Sequence, residues 1–301
     1  MNKLLLAGVA LAAMTAVSYA ADTYVVGMKG PGAGNPFWAA VEKGAKDKGA
    51  ELGVDVVVVA PPAESDVQAQ ITQIEDLIAQ KVSGIALAPT DPNALAPVVD
   101  AAKAAGIPVV FVDTKGINEG VTFIGTDNAV GAALAADFMC KNLPQGSDVA
   151  ILQGLISQST GQARAEGSKK GLEACGLKVV AEQTAEWDRA KGQSVMENIL
   201  TGNPNIKGVF ASNDNMALGA VEALKAAAKL QDVMVVGFDA NPDAAASILA
   251  GEMTASIAQA PGNIGGFGVQ ALVDLKAGKT IEPVIDTGTV LVTKDNAEQY
   301  K

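Results

Sequence analysis

Histidine is missing from all 301 residues. Its absence removes the commonest general base and the commonest metal ligand together. Cysteine is scarce: Cys140 and Cys175 are the whole supply. In an oxidising compartment they could join, adding about 3–4 kcal/mol on a loop-entropy account, or they could stay two buried thiols. The sequence leaves both open. Basic residues number 22 against 33 acidic ones, a net charge of −11, which argues against nucleic acid and anionic membrane as partners. No apolar run reaches the roughly 18 residues of a membrane span. No Walker-type Gly-Lys-Ser/Thr occurs. A dinucleotide fingerprint beginning at Gly30 and Gly32 fails, because the third glycine would fall on Asn35, and no acidic residue ends the second strand, where Ala60-Pro61-Pro62 stands instead.

What is present begins with an export signal. Lys3, the apolar run Leu4 to Val17 and the small-x-small ending Ser18-Tyr19-Ala20 read as a signal peptide over residues 1–20. The expected location is the periplasm, as a soluble monomer. The remaining length suits two domains, and 49% apolar content is enough for a core in each.

Those cores are patterned as alternating strands and helices. Strand-like runs at 24–28, 54–59, 84–88 and 108–112 alternate with helical patterns at 36–52, 65–80 and 94–105, followed by a short strand at 121–124. A second unit repeats the plan: helices at 128–142, 162–174, 190–202, 214–229 and 243–250 alternate with strands at 148–152, 177–183, 207–210, 233–237 and 254–258. A last helix at 262–277 precedes short strands near 283–286 and 289–292. The fold class implied is α/β, two similar lobes each built on a doubly wound parallel sheet. No low-complexity linker separates them, so the chain is expected to cross between lobes more than once.

Ligands of such sheets bind beyond the carboxyl ends of strands. The first such junction is the glycine-rich stretch Gly27 to Gly34, closed by Asn35-Pro36-Phe37-Trp38. Asn35 reads as an N-cap with proline at the first helical position. Two large aromatics at that mouth stand out in a chain with 4% aromatic residues. Later strands end in Asp113-Thr114, a polar loop from Gln153 to Arg164, Glu186-Trp187-Asp188-Arg189, Ser212-Asn213-Asp214, Phe238-Asp239 and Gln259. Carboxylates and amides bond paired hydroxyls, and aromatic faces cover the C–H surface of a sugar ring. No nucleophile, base or metal cluster is arranged among them, so neither enzyme chemistry nor a cofactor is expected. Asp214 and Asp127 read first as helix caps, and Arg189 as half of a surface ion pair.

Taken in order, Asn35-Pro36-Phe37-Trp38, Val112-Asp113-Thr114, Thr126-Asp127-Asn128, Arg164-Ala165-Glu166-Gly167, Ala211-Ser212-Asn213-Asp214, Gly237-Phe238-Asp239 and Ile257-Ala258-Gln259 resemble the ribose-type periplasmic sugar-binding proteins, the soluble receptors of ABC importers. The resemblance implies two lobes joined by three crossovers that close on the ligand. The hinges would fall near Thr126, Ala260 and Gly288, giving one lobe of residues 22–126 with 260–288 and another of 127–259 with 289–301. It implies ligand contacts from Asn35, Phe37, Trp38, Asp113, Trp187, Asn213, Asp239 and Gln259, with Lys29 matching a lysine of allose-type relatives. Thr114 and Gln162 stand where ribose-type proteins carry ligand arginines, and Ala88 where they carry asparagine. The expected ligand is therefore a neutral polyol, ketose or hexose rather than ribose, with Lys29 and Gln162 as replacement donors. The expected partner is a membrane ABC permease. The alternative is a sensor that presents its closed lobes to a chemoreceptor or kinase.

Overall fold

The computed structural model describes residues 22–301, so the signal-peptide reading lies outside the described residues. The first lobe is built from β1 (Thr23–Gly27), α1 (Pro36–Leu52), β2 (Asp55–Val59), α2 (Val67–Gln80), β3 (Gly84–Leu87), α3 (Pro92–Ala104), β4 (Val109–Val112) and β5 (Phe123–Gly125). The chain then moves to α4 (Asn128–Asn142), β6 (Asp148–Gln153), α5 (Ser159–Ala174), β7 (Lys178–Thr184), α6 (Arg189–Gly202), β8 (Gly208–Ala211), α7 (Asp214–Ala226), β9 (Met234–Asp239), α8 (Pro242–Leu249) and β10 (Ala255–Ala258). It returns as α9 (Pro261–Lys276) and β11 (Val284–Asp286), and finishes in β12 (Val290–Val292).

Two six-stranded sheets result, ordered β11-β5-β4-β3-β1-β2 and β12-β10-β9-β8-β6-β7. Every pairing in the first is parallel. In the second only β12 runs antiparallel, against β10. The centre of each sheet is buried on both faces, which is why β3, β4 and β8 read as unbroken apolar runs rather than alternating ones. Helices α1 and α9 cover one face of the first sheet, and α2 with α3 the other. In the second lobe α4 and α5 cover one face, while α6, α7 and α8 cover the other.

The α1–α9 contact sets how tightly the first lobe packs. Gly44 lies against the backbone of Gly262, and Gly265 against the carbonyl of Val41, so a Cβ at either position would collide with main chain. Glycine is required there by close approach. On the second lobe a disulfide joins Cys140 of α4 to Cys175, just past α5. This settles the pairing that sequence alone left open.

The chain passes between sheets three times: between β5 and α4, between β10 and α9, and between β11 and β12. Asp286 accepts the backbone N–H of Asp127 at 3.4 Å, and Thr287 N donates to Gly125 O at 2.9 Å, so two of these crossings brace each other. Both sheets point their strand carboxyl ends at the gap between lobes, where the strand-end residues meet.

Candidate functional site

Asn35 caps α1 as expected, its side chain accepting the Phe37 N–H at 3.2 Å, with Pro36 in the first turn. That cap points Phe37 and Trp38 into the lobe gap, where their rings meet edge to face at 5.0 Å between centroids. Trp38 Nε1 donates to Glu64 Oε1 at 2.8 Å. Asp113 ends β4 with a left-handed φ of 58°, and Thr114 Oγ1 donates to its carboxylate at 2.6 Å. Lys29, from the loop after β1, is 3% exposed. Its ammonium lies 3.2 Å from Asp113 and 3.8 Å from Glu64.

The facing wall comes from the second lobe. Trp187 follows β7 with φ of 65°, directly after Glu186 at 50°. Its ring lies on Gly154, where no side chain would fit. Asn213 is the true N-cap of α7: it accepts the Met216 N–H at 2.9 Å and donates to the Trp187 carbonyl at 3.2 Å. Arg164 is buried on α5. Its Nε donates to Asn128 Oδ1 at 2.7 Å, its Nη1 to Ser212 O at 2.8 Å, and its guanidinium stacks 3.7 Å above the Phe238 ring. Nη1 also lies 3.5 Å from Asp239.

Asp239 and Ala240 take consecutive positive φ values of 116° and 51°. Non-glycine residues reach such conformations at a cost of order 1–3 kcal/mol each, and persist only where the surroundings over-determine them. Asp214 supplies much of that determination. It was expected as a cap, but it lies one residue inside α7, fully buried, accepting Asn241 N at 2.7 Å and Ser256 Oγ at 2.6 Å. Ser256 in turn accepts the Ala240 N–H at 3.0 Å. The reversal that projects Asp239 into the gap is thus fastened from behind.

The small, partly open cavity between the lobes is lined on one side by Lys29, Asn35, Phe37, Trp38, Glu64 and Asp113, and on the other by Thr160, Arg164, Trp187, Asn213 and Asp239. Eight of the ten sequence-selected residues line it. Gln259 does not form the wall itself, but donates to Asp239 Oδ1 at 2.6 Å. The expectation for Gln162 is corrected: it is exposed. Helix α5 starts at Ser159, three residues earlier than predicted; along it Thr160, Arg164 and Ser168 recur every four residues on the inward face, while Gln162 and Glu166 face solvent. The motif arginine, Arg164, supplies one guanidinium at the cavity, while Gln162 supplies no donor there.

Glu64, Thr160 and Arg164 were not selected from sequence. Arg164 stood in a quoted motif, and its inward phase was the signal available. Glu64 sits in an irregular loop with no periodicity to mark it.

Burial governs the electrostatics. Three carboxylates and two cations share the cavity. Burial raises the Glu64 carboxyl, opposed by Lys29 and by the Trp38 hydrogen bond. Asp239 is pushed up to about 7, again chiefly by burial, against the pull of Arg164 and Gln259. Asp214 is raised well above the carboxylate range by burial and by neighbouring Asp239. Burial lowers the Arg164 guanidinium, which Asp239, Asp113, Asp214 and Glu64 partly restore. Among the described residues no cluster of histidine, cysteine, aspartate and glutamate is arranged for a metal. No helix among them is long and apolar enough to cross a membrane.

Residues 26–280 match the periplasmic binding protein domain. The D-allose-binding periplasmic protein of Escherichia coli is 39% identical over 276 residues, covering 88% of each chain. The chain belongs to the ribose-type periplasmic sugar-binding proteins. A ribose import binding protein of Bacillus subtilis is 37% identical over 272 residues, 90% of this chain and 88% of the relative. Among solved structures, a solute-binding protein of Actinobacillus succinogenes with bound D-allose superposes with a TM-score of 0.87 at 29% identity, covering 93% of this chain and all of the other. The Caulobacter myo-inositol binding protein bound to myo-inositol gives 0.86 at 33% identity over 92% and 95%. The Actinobacillus protein is a periplasmic solute-binding protein of an ABC transporter, and this chain is a periplasmic sugar-binding protein of that class.

Proposed function

We propose that this receptor captures a neutral hexose, ketose or sugar alcohol in preference to ribose, closes its lobes over it, and delivers it as a monomer to an ABC permease. The observation that carries the reading is the cavity itself, where two tryptophans from opposite lobes flank a set of carboxylates, one guanidinium and one ammonium. Rings of that kind cover the apolar faces of a sugar, and the charged groups bond its hydroxyls in pairs. Lys29, Asn35, Phe37, Trp38, Asp113, Trp187, Asn213 and Asp239 would contact the ligand, with Gln259 orienting Asp239. Closure would turn on the crossings near Thr126, Ala260 and Gly288, ligand contacts to both walls favouring the closed population.

Thr114 supports the preference against ribose: its hydroxyl donates to Asp113, and its side chain brings no charged fork of its own to the cavity. D-allose and myo-inositol, the ligands of two structural neighbours, are the first candidates to try. A thermal-shift panel of aldopentoses, aldohexoses, ketoses, alditols and inositols tests the reading. A ligand at a thousand times its Kd adds about 4 kcal/mol. Stabilisation by a hexose or polyol with ribose silent is expected. Stabilisation by ribose alone would overturn the preference, and silence throughout would overturn sugar capture.

A further inference from the structure

Gln158 immediately precedes α5 and has no exposed surface, yet its side chain does not cap that helix. Its amide reaches three other groups. Oε1 accepts from Lys29 Nζ at 2.8 Å and from Trp187 Nε1 at 2.9 Å, and Nε2 donates to the Glu64 carbonyl at 3.3 Å. Two of these partners belong to the first lobe, and the third is the aromatic wall of the second. The next residue continues the attachment: Ser159 Oγ accepts from Lys115 N and donates to Lys115 O, each at 3.1 Å. Thr160 Oγ1 accepts from Lys29 Nζ at 3.3 Å. Three consecutive residues thus fasten the second lobe to the first.

Gln158 is not among the residues that line the cavity. Its bonds go to residues that do, and to the backbone behind one of them. Separating the lobes breaks its bonds to Lys29 and Glu64 while leaving that to Trp187, which lies in its own lobe. A hydrogen bond to a buried charged group contributes more than a neutral one, so the ammonium contact dominates this set.

We infer that Gln158 is the clasp of lobe closure, a positioning residue that slows release of the captured sugar by tying Lys29 and Glu64 of one lobe to Trp187 of the other. The inference rests on the sugar-capture reading and adds a residue off the ligand that sets how long closure lasts. Affinity differences expressed this way appear in the dissociation rate.

Stopped-flow binding of D-allose and myo-inositol to wild type, Gln158→Ala and Gln158→Glu tests it, with small-angle scattering of each protein free of sugar. The alanine variant should release sugar about tenfold faster, with association unchanged within about twofold. Its sugar-free scattering should shift toward a larger radius of gyration. The glutamate variant keeps an acceptor for Lys29 and Trp187, and should restore most of the slow release. Unchanged release and unchanged scattering in the alanine variant would overturn the clasp, as would a change confined to its melting temperature. If neither sugar binds wild type, the choice of ligand is what fails. Scattering then decides the clasp alone, expansion of the alanine variant supporting it and identical curves overturning it.

Discussion

On the second-lobe wall the charged groups are fastened mainly within their own lobe: Arg164 to Asn128 and Ser212, Asp239 to Gln259 and Arg164, and the turn behind Asp239 to Asp214 and Ser256. On the first-lobe wall the fixed part is aromatic, Phe37 against Trp38, and the principal cation is a lysine whose hydrogen bonds go to Gln158 and Thr160 across the gap. One wall is a preorganised polar template with strained backbone. The other sets its aromatic rings beside two carboxylates, Glu64 and Asp113, and a buried lysine that they hold from its own lobe while Gln158 and Thr160 hold it across the gap. Rigid guanidinium and carboxylate groups fix orientation at little reorganisation cost, while a lysine can follow the ligand or the opposite lobe. The difference points to capture on the second lobe, with the first lobe closing over it.

Breaking the template should have the largest effect. Arg164→Ala leaves Asp239 and Asp214 buried without their cation, and removal of one partner from a buried charge pair costs about 3–5 kcal/mol. Chemical denaturation should show that loss together with loss of sugar binding; Lys29→Ala strips a buried ammonium from Asp113 and Glu64 and should also destabilise, but by less, because its hydrogen bonds lie across the lobe gap rather than within one lobe. Equal destabilisation by both variants would erase the contrast between the walls.

Reduction of Cys140–Cys175 should come next. It should lower the stability of the second lobe by about 3–4 kcal/mol on the chain-entropy account. Calorimetry with and without reductant should then resolve a transition for the second lobe that moves while that of the first, which lacks a disulfide, stays. Two transitions moving together would show the lobes to be energetically inseparable.

A smaller effect concerns Asp239. Its carboxyl is raised from 3.8 to about 7, so between those values the folded state holds more protons than the unfolded chain. Ionisation therefore opposes folding, at full cost above about 7 and none below the ordinary carboxylate range. The stability of wild type relative to Asp239→Asn should rise as pH falls through neutrality. Parallel melting curves from about pH 8 to 5 would show that Asp239 ionises normally. The smallest effect belongs to Gln162→Ala, which should leave affinity unchanged, and a loss there would return Gln162 to the cavity.

Fold was more legible than site. The run from Pro36 to Leu52 begins at a cap and ends at Gly53 with φ of 68°, so both of its ends were written in local chemistry. Helix α5 has no such cap: Gln158 makes no side-chain bond to it. Its first turn reads as loop, and Gln162 is selected because the resemblance sets a ligand arginine at that position, whereas the period of the helix turns Arg164 inward. Asn213 and Asp214 both suit an N-cap by residue type. Only the tertiary partners Asn241 and Ser256 show that Asp214 braces a turn instead. Glu64 enters through the approach of Trp38 and Lys29, contacts with no sequence period.

The edge strands β11 and β12 come last in the chain, and one closes each sheet. Strand β11 pairs with β5, whose residues precede it by some 160 positions, through Phe123↔Val284 and Asp286↔Gly125. Neither lobe can therefore finish folding before residues 284–292 are in place. The first lobe, despite leading the sequence, must wait with an open edge until the second has been made, and the two mature nearly together. Deletion of this short final segment would leave two incomplete sheets rather than one intact lobe and one damaged one.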